Sequence, residues 1–148
     1  MIRFRSWVLA LCVLGVLLGG TLGRANAEFL GDLCWTFAGS QSSSGTVRAG
    51  VYHIGGGHYL LSGVSTVTLP LLSFKAPIHG NAEFIDNEIQ LTMVVANRLL
   101  GDATHVVYHV VLNPATLSGT YVGGGADITS SSADFAFLSG SVTNIACP

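Results

Sequence analysis

The sequence predicts an all-β protein: an eight-stranded antiparallel up-and-down barrel closed by a disulfide between its two ends. Three observations carry that prediction. The residues after position 27 fall into eight β-prone runs of 7 to 10 residues separated by glycine, serine, asparagine and aspartate, with no apolar set at helical spacing. Regular short connections favour antiparallel neighbours, and eight such strands must hide two edges, which closure achieves. Two cysteines remain after position 27, Cys34 in the first run and Cys147 at the end of the last. A disulfide needs Cα atoms roughly 4.4–6.8 Å apart, and a barrel sets its first and last strands side by side. A two-sheet β-sandwich could also meet that requirement and is the alternative.

The opening residues read as an address. Arg3 and Arg5 precede an apolar run from Trp7 to Leu18, and small residues lead to Ala25-Asn26-Ala27. That is a signal peptide with an A-x-A cleavage site, and the run is shorter than the roughly 20 residues that span a bilayer. The expected organisation is a cleaved segment 1–27 and a single domain 28–148, exported to a periplasm or the extracellular space, with no membrane span in the mature chain. An exported location also favours the disulfide. Residues 28–148 hold three basic and eight acidic side chains, a net charge of −5. Arg48, Lys75 and Arg98 are too few and too scattered to track phosphates, which argues against nucleic acid and against docking on anionic lipid.

The runs follow in order. Asp32 to Ala38 alternates, with Leu33, Trp35 and Phe37 on one face. The polar stretch GSQSSSG leads to Thr46–Ile54, three glycines turn the chain, and His58–Val67 is the third run. Pro70 and Pro77 bracket a break before Ile78–Ile85; Asp86-Asn87 then turns into Glu88–Ala96. A turn at Gly101-Asp102 precedes Thr104–Leu112, and Asn113-Pro114 ends it. Thr116–Val122 is the seventh run, closed by the turn Gly123-Gly124-Gly125, and the eighth runs from Asp134 towards Cys147.

The stretch VYHIGGGHY, residues 51–59, sets His53 and His58 around three glycines. A phosphate loop would need a following helix and usually a lysine, whereas glycines between two β runs make a hairpin turn. His53 and His58 are the weak candidates for a metal site, since a catalytic zinc needs three protein ligands; none is expected. His105 and His109 share a strand face but stand roughly 13 Å apart, too far to share one ion. The chain has no G-x-S-x-G elbow, and Glu83, Asp86 and Glu88 read as a solvated turn rather than a carboxylate pair. No catalytic constellation and no cofactor are expected.

Small exported eight-stranded barrels with a tryptophan in the first strand resemble the calycins, meaning lipocalins and avidins. Lipocalins carry G-x-W there; this chain spaces Gly31 and Trp35 two residues further apart. TLSGTYVGGGADI, Thr116 to Ile128, is similar to an avidin strand and turn, with Leu117 where avidins place a tryptophan. Avidins line their site with several tryptophans and residues 28–148 hold only Trp35. The resemblance implies a barrel and a small-molecule site, but not biotin.

The expected function is therefore a non-catalytic binding module for a small apolar ligand, lined by Trp35, Phe37, Tyr52, Tyr59, Tyr108 and Tyr121, with Phe135 and Phe137 beside them. The competing reading is that these rings simply fill the core of a small barrel. The alternative function is a structural or interaction protein that self-associates or binds a partner through apolar outer strands, because HVVYHVVL and part of LTMVVA are apolar on both faces. An outer-membrane barrel is a third reading, which the short runs and the terminal cysteine fit poorly.

Overall fold

A computed structural model describes residues 27–39, 44–69, 72–99, 102–128 and 132–148. Nearly all of the expected signal segment lies outside them, as do Ser42-Ser43, Pro70, Gly101 and Ser130-Ser131. The described residues form eight strands: β1 (Glu28–Gly39), β2 (Ser44–Gly55), β3 (His58–Leu69), β4 (Leu72–Ile85), β5 (Glu88–Leu99), β6 (Asp102–Asn113), β7 (Ser118–Ile128) and β8 (Ala133–Ile145). Each pairs antiparallel with its neighbours in sequence, and β8 returns to β1, so the sheet is a closed up-and-down barrel rather than a sandwich.

The strands are 11 to 14 residues long, longer than the runs read from sequence. Pairing carries the ladders through glycines at the strand ends, such as Gly39, Gly45 and Gly55, whose own strand preference is weak. β4 begins at Leu72 and contains Pro77, which pairs with Val64 of β3 just before the β5 ladder starts at Ile78. A missing N–H is tolerated where one side of the ladder is absent. Gly123-Gly124-Gly125 lies inside β7 and is not a turn. A Cβ on inward-facing Gly123 would stand 3.1 Å from Tyr108 Cδ1, so the glycine is there to admit a ring.

Three turns gather at one end. Gly55, Gly56 and Gly57 all have positive φ, as the hairpin reading requires. Asp86 and Asn87 have φ of 51° and 66°, the pattern of a two-residue type I′ hairpin. In the third turn, Asn113 Oδ1 accepts bonds from the N–H groups of Ala115 at 2.8 Å and Thr116 at 3.3 Å. Leu117 follows with φ 53°. Phe84 N donates to Gly57 O at 3.3 Å and ties the first turn to β4.

Away from the register shifts at Phe29/Gly31 and His53/Gly55, inward positions alternate along each strand. They carry the buried core, with Trp35, Ile78, Leu91, Met93, Val110, Leu112 and Val142 the largest side chains sealed from solvent. An apolar interior is the inverse of the polar lumen of transmembrane barrels. The strands are steeply staggered. A row leaving β2 at His53 passes Tyr59, Ala82, Leu91, Val110, Tyr121 and Gly140. It reaches β1 at Gly39, eleven residues beyond Glu28, the β1 partner of His53, and one of the eleven is the bulge between Phe29 and Gly31. Eight strands with a stagger above the shear of about eight found in packed α/β barrels enclose a wider lumen.

The β1–β8 seam is the shortest ladder, six pairs from Cys34↔Ile145 to Gly39↔Gly140. Other bonds stitch its lower end. Cys34 and Cys147 form the expected disulfide, Cα atoms 5.2 Å apart. Cys34 alternates with Trp35 and so lies on the outer face, yet it is only 2% exposed. Beside it Arg48 donates to Asp32 at 2.7 Å and to the Pro148 carbonyl at 3.5 Å, holding the tail. Asn144 N donates to Ser118 Oγ at 2.9 Å.

A candidate apolar site at the turn end of the barrel

Below the sealed core the lumen opens into a chamber of about 200 Å3. Trp35, Leu61, Leu91 and Leu112 form its floor, placed there by the alternation that buries them. Leu30, Leu33, Tyr59, Phe84, Ile89 and Leu117 make its walls and mouth. Leu30 and Phe84 are 55% and 52% exposed, so the rim is apolar as well as the floor. Leu30 is the bulged residue of β1, and the bulge is what turns it towards the opening.

The chamber offers little polar chemistry. Trp35 Nε1 donates to the Leu117 carbonyl at 3.0 Å, which occupies the indole donor and fixes the β6–β7 turn over the opening. Tyr59 supplies the remaining side-chain heteroatom in the lining. Such a surface can hold an apolar molecule by area burial alone. Apolar cavities of about 150 Å3 stay dry and bind benzene.

The sequence candidates separate into three groups. Trp35 and Tyr59 line the chamber. Phe37, Tyr108 and Tyr121 lie together at the opposite end, with ring centroids 5.2 to 5.7 Å apart. There they enclose, with Ser65, a void of only about 40 Å3, room for a water rather than an organic ligand. Burial raises the Tyr121 hydroxyl above its ordinary range; burial and then the neighbouring Tyr121 raise that of Tyr108. Tyr52 is not a lining residue: it is on the outer face, its ring 5.3 Å from that of Phe29. Phe135 and Phe137 also point outwards, 79% and 88% exposed. The inward set of β8 is Ala136, Leu138, Gly140 and Val142, and a one-residue change of register would have exchanged the two sets.

His53 does not meet His58. Its ring tilts against Tyr59, centroids 5.3 Å apart, and His58 Nδ1 lies 3.2 Å from Glu83 Oε1. Among the described residues no three His, Cys, Asp or Glu side chains gather as metal ligands. Asp86 and Glu88 sit at the exposed β4–β5 hairpin. The aliphatic lining, Leu30, Leu33, Leu61, Leu91, Leu112 and Leu117, was missed by sequence reasoning that favoured rings. Alternation from Trp35 marks Leu33, but the others need the register.

The chain matches no family model, no curated protein and no solved structure. What it shares with the calycins is architecture, a closed eight-stranded antiparallel barrel. No helix among the described residues is long and apolar enough to cross a membrane.

Proposed function

We propose that this protein binds a small apolar molecule at the turn end of its barrel, without catalysing a reaction. One observation carries the reading: a chamber of about 200 Å3 whose floor, walls and exposed rim are apolar, in a barrel whose opposite end holds a void of only about 40 Å3. The size suits a single ring or a short alkyl chain, below the roughly 300–1,000 Å3 of drug-sized sites. Six buried methylenes would contribute about 5 kcal/mol at about 0.8 kcal/mol each, before the cost of association. A net gain of that size would correspond to a Kd of roughly 0.2 mM, and the cost of association weakens it, so affinity for such a ligand falls in the millimolar range.

Trp35 is the sole tryptophan of residues 28–148 and stands in the floor, so its emission reports directly on the chamber. Titration of residues 28–148 with toluene or n-hexanol is expected to shift that emission saturably. Ala82→Phe, which fills the chamber, is expected to abolish the shift. Emission unchanged up to the solubility limit of both probes would overturn the reading.

A further inference from the structure

We propose that the outer face of β5–β8 docks a second copy of this chain, face to face about a twofold axis. The alternation that buries one side of these strands leaves an outer side with little charge, Glu88 at the hairpin end of β5 being the charged outward side chain among the described residues. From Gln90 to Ala96 on β5, and at every described outward position of β6, β7 and β8, there is no Asp, Glu, Lys or Arg. Two registered rows cross it. Val94, Val107, Gly124 and Phe137 form one; Ala96, His105, Ala126 and Phe135 form the other.

The rows have relief. Phe135 and Phe137 stand out from β8, while Gly124 and Ala126 on adjacent β7 form a flat. A Cβ built on Gly124 meets nothing within 4 Å, so the space above it is open. Knob and flat side by side on one surface are self-complementary: a twofold places the rings of each copy over the flat of the other.

The area fits a dimer. Two phenylalanines this exposed present on the order of 300 Å2. Val94, Val107, Val122 and Ile128, each about half exposed, carry the patch to the upper end of the roughly 300–600 Å2 found on monomers. With its serine and threonine surround, the face approaches the roughly 800 Å2 per partner of a standard interface. A membrane is disfavoured as the occupant. The described face has no lysine or arginine for anionic headgroups and no tryptophan or tyrosine for a bilayer interface.

The test is sedimentation of the purified protein over a hundredfold concentration range, with Phe137→Ser, Gly124→Gln and, on the opposite face, Ser62→Gln. The expected result is a dimer for the wild type and for Ser62→Gln. Phe137→Ser and Gly124→Gln are expected to weaken it at least tenfold while keeping the wild-type circular dichroism. Gly124→Gln fills the flat without disturbing the monomer, so it separates docking from folding. A monomer at every concentration overturns the proposal, as does a dimer indifferent to both substitutions. So does a monomer that instead floats with neutral phosphatidylcholine vesicles through Phe137, which would make the occupant a lipid surface.

Discussion

The turn end and the opposite end of the lumen are built from the same alternating strands, yet one is roomy and the other full. At the turn end the inward positions carry mostly branched aliphatic side chains around one indole, with Tyr59 and Phe84 in the walls and mouth, leaving about 200 Å3. At the other end Phe37, Tyr108 and Tyr121 pack edge and face into one another, and glycines on β7 and β8 make way for them. Rings backed by glycine fill a lumen of this width; leucines do not span it. The difference teaches that residue pairing across the barrel, more than overall apolarity, decides where a small barrel keeps space.

The largest expected effect strikes the seam that bounds the roomy end. Removing the disulfide by Cys34→Ala with Cys147→Ala releases a link of sequence separation 113 and should cost about 4–5 kcal/mol on the chain-entropy account. Urea denaturation of the pair against the oxidised wild type measures it; equal midpoints would show that the seam holds without the link. Trp35→Ala comes next, at about 3–5 kcal/mol, because it empties the floor and frees the Leu117 turn.

Small-to-large changes sharpen the contrast. Ala82→Leu, at the roomy end, should leave stability within about 1 kcal/mol, whereas Gly123→Ala, at the full end, should cost about 1–3 kcal/mol. The added methyl at Gly123 would meet the Val107 carbonyl at 2.8 Å and the Tyr108 ring at 3.1 Å. Equal melting-temperature shifts for the two variants would erase the distinction.

The smallest effect is a pH dependence confined to the full end. Tyr108 and Tyr121 have folded-state values raised above 10.0, so the folded protein holds their protons more tightly than the unfolded chain. Their contribution is complete below pH 10 and is lost as pH rises through the raised values. Stability should therefore decline above pH 10, and Tyr108→Phe with Tyr121→Phe should flatten that decline in denaturation measured from pH 8 to 11.

Much of this fold was legible because closure, turns and disulfide are each announced by local chemistry. Asp86-Asn87 and Gly55–Gly57 can scarcely be anything but hairpins, and Cys34 with Cys147 needs adjacent end strands. The triple glycine of β7 misled because glycine has two uses, positive φ and close approach, and only the facing Tyr108 tells which applies. The site was less legible. Trp35 and Tyr59 emerge from alternation within their own strands, but Leu30 depends on a bulge. Phe135 and Phe137 depend on a register that the string ADFAF does not determine, since either face offers apolar residues. Tyr52 has the aromaticity of a lining residue but the opposite parity to its buried neighbour Val51, and parity decides its side.

The bond between Cys34 and Cys147 has a topological meaning besides its energy. With β8 returning to β1, it makes the protein a covalent ring of eight nearly equivalent staves, and where the polymer starts is then arbitrary. A circular permutant opened between Asp86 and Asn87, with its former ends joined by a short glycine-rich bridge, should keep the same barrel. It would place the new ends in an exposed hairpin and leave both the chamber floor and the outer face of β6–β8 as they are.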